Sequence, residues 1–511
     1  VVKVPLEPGN YRSLKSAKDK LFYLAMPPLA EYYTYYLGKL HEYDIDQGKD
    51  RVVLSQIYDY EVSKEGNKVL YAAPGTWGIV DAATPHQIGE GQLNLEGLEM
   101  RVDPKAEWQQ MFNEAWRLER DFFYDPNMHG IDWNAMKEKY GQLLPYAAHR
   151  EDLNYLIGEM IGELCCSHTY VGGGDMPGVE WASVGLMGAD LEPGKEGYYQ
   201  FKKIYEGENW NERRRAPLTE PGAQVKEGEY LISVEGKEVR YPDNPYKYFI
   251  NSAGKQVRIE VGPRPTPKKT REIIIRPIAS DNELRYLDWV KTNREKVEEA
   301  TNGKVGYIHV PDTSISGLNE FSKAFFAQID KEGLIIDVRF NSGGMIPEMF
   351  IEHLRRELIS FFVPREGNVW RTPQVALHGP MVCIINEYAG SGGDAFPYYF
   401  HTYGLGPLIG KRTWGGLVGI AHGLIPLMDG GFVTCPEFAF MSLEGEWAVE
   451  NHGVDPDIEV DNKPDSVIRG RDPQLEKAIE VILEEIEELE ALPSRPPYPI
   501  KNESYQEKDF L

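Results

Sequence analysis

Ser391 stands in Ala389-Gly390-Ser391-Gly392-Gly393-Asp394, directly after the apolar run Met381-Val382-Cys383-Ile384-Ile385-Asn386. A buried strand, a small-residue turn and then a helix over 394–400 would put one hydroxyl at a helix N-terminus. There the dipole and the unpaired N–H groups favour a developing anion. The flanking glycines let another backbone approach closely and leave room for a ligand. A serine in that place also suits an ordinary helix N-cap, so alone it carries no reaction. A second apolar run, Leu334-Ile335-Ile336-Asp337-Val338-Arg339-Phe340, ends in Asn341-Ser342-Gly343-Gly344. Ligands of α/β sheets bind at such strand ends, and a bare glycine N–H there, with that of Gly392, would form an oxyanion hole.

A serine needs a base to attack at neutral pH. Of eleven histidines, three stand near other chemistry: His168 in Ser167-His168, His452 in Glu450-Asn451-His452-Gly453, and His401 just after the Ser391 helix. Each taken singly reads as a surface or satisfied core residue.

These residues must be positioned by a large chain. At 511 residues the prior is three to four domains of about 150 residues. A hydrophobic share of 41% and a charged share of 26% are ordinary for a globular protein, and 12% aromatics with 30 Tyr exceed what disorder carries. Fifty-five basic against 80 acidic side chains leave a net charge of −25, which repels nucleic acid and anionic lipid. No apolar run approaches the roughly 18–20 residues of a membrane span. Val1-Val2-Lys3 shows neither an initiator Met nor a signal pattern, so a processed or excised chain is expected. Four Cys, two of them adjacent, give neither a disulfide framework nor metal spacing. They read as small buried hydrophobes, and neither a metal nor a cofactor is expected. The cytoplasm is the favoured compartment, with periplasm or secretion left open by the truncated start.

Residues 1–100 read as a β segment like terminal propeller blades, with strands at 21–25, 31–37, 51–58, 69–73 and 78–81. Helical spacing then sets in: Trp108, Phe112, Trp116; Trp133, Met136, Tyr140, with Asp132 as cap; and a third helix over 152–164. This helical subdomain, 101–175, ends at Cys165-Cys166-Ser167-His168-Thr169-Tyr170-Val171. Residues 176–280 return to β and resemble a PDZ module. The Gly-rich Gly185-Leu186-Met187-Gly188 would hold a peptide carboxylate, or the module is a spacer. Arg213-Arg214-Arg215 within it reads as a solvated loop. Residues 281–511 alternate strands and helices, an α/β core, with a helix over 317–330 and a C-terminal amphipathic helix begun by Asp472-Pro473. The fold class is thus multidomain α+β and α/β.

The segments at 305–310, 335–344, 386–394, 410–416 and 450–457 resemble the crotonase-like core of the tail-specific and tricorn serine proteases. Residues 166–171 and the helices before them resemble the first catalytic subdomain of the tricorn branch. Five motifs in that order make the likeness specific over about 100–490. Tail-specific members use a Ser–Lys dyad, but their lysine slot here holds Gly416, and Lys411 does not match it. The tricorn branch uses a Ser/His/Ser/Glu tetrad. By that resemblance Ser391 is the nucleophile, His168 the base and later the acid, Ser167 and Glu450 the groups that orient the imidazole, and Gly344 and Gly392 the oxyanion donors. It implies cleavage of unfolded peptides through an acyl-enzyme, no cofactor and a homo-oligomer, hexameric in the archetype. The archetype selects basic residues through an acidic side chain after the glycine turn. The matching stretch, 358–363, is apolar here, so a pocket for hydrophobic or uncharged residues is expected.

Two rivals stand beside this reading. Ala389-Gly390-Ser391-Gly392-Gly393 nearly matches the nucleophile elbow of α/β-hydrolases, which with an upstream propeller suggests a prolyl-oligopeptidase-like enzyme using His452. The second rival is a non-catalytic PDZ peptide-binding scaffold.

Overall fold

The structure, a computed structural model, describes residues 4–27, 37–489 and 492–498. Two compact units emerge, one from Val1–Gln110 with Ser314–Asn319, the other from Met111–Thr313 and Glu320–Leu511. Among the described residues no helix is long and apolar enough to cross a membrane.

In the first unit Asn10–Ala17, Lys20–Met26, Gly38–Asp44 and Lys49–Ile57 form a four-stranded antiparallel meander. Asp59–Val62, Lys68–Ala73 and Thr76–Asp81 form a three-stranded one. Alternating residues such as Leu40, Leu54, Val69 and Tyr71 are fully buried in a shared core, the period-two burial of blade-like sheets. The strand expected over 31–37 lies, apart from Leu37, outside the described residues.

The second unit begins at Met111, within the first helix of a helical layer. Pro104–Phe122 buries Met111, Phe112, Ala115 and Trp116 on one face. It is joined to Trp133–Gly141 by reciprocal indole bonds: Trp116 Nε1 donates to Trp133 O at 2.8 Å and Trp133 Nε1 to Trp116 O at 3.0 Å. Asp132 caps that second helix through Ala135 N, as its type predicts. The third helix, Arg150–Gly162, starts two residues earlier than the apolar pattern indicates. Asp152 is a first-turn acceptor for the Ala148 and His149 N–H groups rather than the first residue.

The 189–275 region is an antiparallel sheet in the order Arg271–Ile275, Val257–Gly262, Tyr230–Val234, Tyr199–Ile204, Ala189–Pro193, closed on its own core of Phe201, Leu231, Phe249 and Ile259. It is fastened to the helix Asn282–Ala300 by ion pairs: Lys203 to Asp288, Arg285 to Asp190 at 2.9 Å, and Lys291 to Glu206 at 2.7 Å. The arginine run is not the solvated loop expected. Arg214 reaches Glu208, Glu283 and Glu320 and Arg215 reaches Glu220, both side chains only about a tenth exposed.

The α/β core is a parallel sheet in the order Val305–His309, Gly333–Asp337, Met381–Ile385, Leu408–Gly410, Ile458–Glu459. The first three strands are buried throughout, which is why they read as unbroken apolar runs. Val297 of the 282–300 helix and Leu475, Ala478 and Ile482 of Pro473–Glu488 cover one face. The strand at Gly333 stops at Asp337, earlier than its apolar run, because that carboxylate turns to pair with buried Arg339 at 2.6 Å. The next helix, Ile315–Phe326, falls within two to four residues of expectation.

Candidate active site

Two strands deliver their following loops to the same end of the parallel sheet: Gly333–Asp337 leads to Asn341–Gly344, and Met381–Ile385 to Asn386–Ser391. Asn386, almost fully buried, ties the loops together. Its Oδ1 accepts from Phe340 N at 3.0 Å and Tyr388 N at 3.2 Å. Asn341 does the same one step on, accepting from Gly343 N at 2.9 Å through Oδ1 and from Gly390 N at 3.1 Å through its carbonyl. The helix Gly392–Thr402 then starts directly after Ser391, which has φ 58° and ψ −118°. A left-handed φ in a residue with a side chain costs about 1–3 kcal/mol and persists where neighbours over-determine it.

His168, also left-handed at φ 59°, arrives from the other side of the molecule's sequence. Behind it, Val171–Gly172 pairs antiparallel with Phe432–Val433, and Thr434 Oγ1 donates to His168 O at 2.6 Å while accepting from Tyr170 N at 2.7 Å. Upstream, buried Arg150 pairs with Asp429 at 2.5 Å. These links bring residues 223 positions apart into contact: His168 Nε2 lies 3.2 Å from Ser391 Oγ.

From the imidazole the contacts continue. Ser167 Oγ lies 2.9 Å from His168 Nδ1 and donates to Glu450 Oε2 at 3.0 Å. Glu450 also accepts from Ser167 N at 2.7 Å and from Leu417 N at 2.7 Å. A carboxylate only accepts, so the single Ser167 proton points to Glu450. Ser167 Oγ must then accept from Nδ1–H, leaving the Nε2 lone pair facing Ser391. Burial, partly opposed by the Glu450 charge, pushes the His168 pKa below that of ordinary histidine. The ring is covered by Trp414, 5.8 Å away between centroids.

Gly344 and Gly392 meet face to face. A Cβ on Gly392 would come within 2.3 Å of Gly344 O and 2.8 Å of Gly344 N. Neither N–H is spent on a protein acceptor among the described residues. Thr313 N donates to Gly343 O at 2.8 Å, which orients the peptide plane carrying the Gly344 N–H. Beside Ser391 opens a cavity of about 170 Å³ walled by Met345, Pro347, Leu417, Val418, Phe438 and Phe440, with Glu348 and Tyr399 as its polar members. None of residues 358–363 lines it. They belong to an outer hairpin of Ser360–Phe362 and Trp370–Thr372, so the apolar wall comes from segments the sequence reading did not single out.

The other candidates are engaged elsewhere: His452 with Asp455 at 2.8 Å, His401 with Asp457 at 3.2 Å, Lys411 with Glu459 at 3.0 Å. The N–H groups of Gly185 and Leu186, imagined as a carboxylate cradle, already donate to Phe249 O and Ile278 O. Cys383 and Cys435 are buried as expected, whereas Cys165 is exposed.

Glu119, completely buried with both oxygens lacking partners among the described residues, lies beside Cys435 near this site. Burial pushes its carboxyl up to about 8, the Cys435 thiol opposing. The folded chain therefore holds a proton the unfolded chain releases near pH 4–5, and the resulting stability is lost as pH rises toward 8. Glu119→Gln, permanently neutral, is expected to match the parent in thermal unfolding near pH 4. At pH 8 it should be more stable by on the order of 2–4 kcal/mol.

Family models describe the same parts of the chain. The tricorn protease C1 domain matches residues 104–162, the tricorn protease PDZ domain 185–280, and peptidase family S41 304–460. A putative tricorn-like protease C-terminal subunit of Sulfurisphaera tokodaii is 36% identical over 96% of this chain and 57% of its own length. The tricorn protease of Thermoplasma acidophilum is 34% identical over 96% of this chain and 46% of its own. A crystal structure of the tricorn protease superposes with a TM-score of 0.85 at 32% identity, covering 94% of this chain and 47% of that one. The chain thus spans about half the length of the curated relatives it matches. Sequence, domain order and fold agree: the chain carries domains that match the tricorn protease C1 and PDZ domains and peptidase family S41, in that order, and as a whole it is similar to the tricorn proteases.

Proposed function

We propose that the chain is a serine peptidase that cleaves unfolded peptides through an acyl-enzyme, with Ser391, His168, Ser167 and Glu450 as its tetrad. The observation that carries this reading is the unbroken chain of polar contacts from Ser391 Oγ to Glu450. His168 Nε2 takes the Ser391 proton as Oγ attacks the peptide carbonyl, and the imidazolium is steadied through Ser167 by the Glu450 charge. The carbonyl oxygen, now negative, is met by the Gly344 and Gly392 N–H groups at the start of a helix. His168 then protonates the leaving amine, and a water deacylates Ser391 by the same route. The walls of the adjoining cavity suit an apolar side chain before the scissile bond.

The expected result is covalent labelling by a fluorophosphonate probe, lost in Ser391→Ala, with cleavage of a peptide library after apolar residues. A parent chain that neither labels nor cleaves would favour the non-catalytic scaffold instead.

A further inference from the structure

In tail-specific relatives the lysine slot supplies the base; here it holds glycine, and its backbone N–H groups grip carboxylates. Gly415 N donates to Asp394 Oδ1 at 2.8 Å and Gly416 N to Asp394 Oδ2 at 3.1 Å, while the next N–H, of Leu417, donates to Glu450 at 2.7 Å. Asp394 is completely buried and also accepts from Ser391 N at 2.8 Å. The Thr413 hydroxyl, which accepts from Val454 N at 2.8 Å, also draws the Asp394 pKa down. Just before these glycines, Trp414 N donates to Ala389 O at 2.9 Å, so the 413–417 segment is stitched to the turn on both sides of Ser391.

We propose that Asp394 is a positioning residue for the reaction: it holds the Ser391 turn in its left-handed conformation and locks it to the 415–417 segment, whose Leu417 N–H holds Glu450. This rests on the tetrad reading above. The geometry has a clear division of labour. With Asp394 accepting the Ser391 N–H, the turn has a fixed direction, and Ser391 Oγ stays directed at His168. Because Gly415 and Gly416 donate to opposite oxygens of one carboxylate, and Leu417 to Glu450, nucleophile and orienting acid hang from three consecutive peptide groups. A small shift of either would separate the reacting atoms, and misplacement by about 1 Å costs on the order of 10²-fold. Every role Asp394 fills is that of an acceptor, and burial raises its pKa against the pull of its donors. A side chain that brings its own N–H₂ must present donor to donor at one oxygen position.

The test compares Asp394→Asn and Thr413→Val with the parent, all counted by active-site titration with a fluorophosphonate. In Asp394→Asn, kcat per titrated site and the labelling rate should both fall about 10²-fold, with KM within a few-fold. Thr413→Val removes the hydroxyl that draws the Asp394 pKa down, along with the acceptor of Val454 N, and keeps the side-chain shape. It should lower kcat several-fold and move the acid limb of the pH–rate profile upward, since Asp394 then accepts a proton more readily. If both variants lose melting temperature but keep parental kcat and labelling rate per titrated site, Asp394 serves folding alone and the proposal is overturned. Should Asp394→Asn fail to fold, an unmoved acid limb in Thr413→Val overturns it equally. A parent chain that never labels would instead defeat the tetrad reading, so the two failures are distinguishable.

Discussion

Replacing His168 with alanine is expected to lower kcat/KM by about 10⁴–10⁶-fold, while His452→Ala changes it by no more than about twofold. The reason lies in where each ring is engaged. His168 Nε2 sits 3.2 Å from Ser391 Oγ with its other nitrogen on Ser167, whereas His452 is occupied by exposed Asp455. Without the imidazole the Ser391 hydroxyl has no acceptor of suitable basicity, and only the N–H groups at the helix start remain to assist. The same reading sets the pH profile. Burial lowers the His168 pKa, so the neutral, proton-accepting ring persists to more acidic solution than an ordinary histidine would allow. The plateau of kcat/KM should therefore extend below pH 6.5, and its acid limb should shift up when Trp414, which covers the ring, is replaced by alanine. The reverse pattern, a large loss in His452→Ala with His168→Ala nearly unchanged, would point to the α/β-hydrolase reading.

What the sequence disclosed and what it withheld divide along physical lines. Buried parallel strands announce themselves as unbroken apolar runs, and glycines at their ends mark close backbone approach, so the loops around Gly344 and Ser391 were legible. The contact of His168 with Ser391 was not, because it depends on two-residue strand pairing at 171–172 with 432–433 and on the Arg150–Asp429 pair, none of which has a periodic signature. Asp394, Asn341 and Asn386 went without a role for a related reason. Their partners are backbone N–H groups contributed by other loops, which no residue type reveals. The apolar stretch at 358–363 misled because composition reports hydrophobicity without direction, and that segment forms an outer hairpin. Arg214 misled in the opposite sense: a charge run is buried when acids distant in the chain converge on it.

Gly392→Ala is expected to cost at least about 10²–10³-fold in kcat, with little change in KM, measured on titrated sites. Gly392 has no left-handed φ, so alanine meets no backbone objection there. The obstacle is space. The added methyl would lie 1.9 Å from Thr313 Oγ1, 2.3 Å from Gly344 O and 2.8 Å from Gly344 N. A side chain such as Thr313 can be trimmed, but the Gly344 peptide is held through Thr313 N on Gly343 O and cannot retreat without turning its N–H. The two donors proposed to meet the oxyanion would thus be driven apart by one methyl group. The double variant Gly392→Ala with Thr313→Ala separates the contributions. If the Gly344 backbone contact dominates, removing the hydroxyl restores little activity. If instead activity returns, the hydroxyl alone was the barrier, and the close pairing of Gly392 with Gly344 would not be what sets the hole.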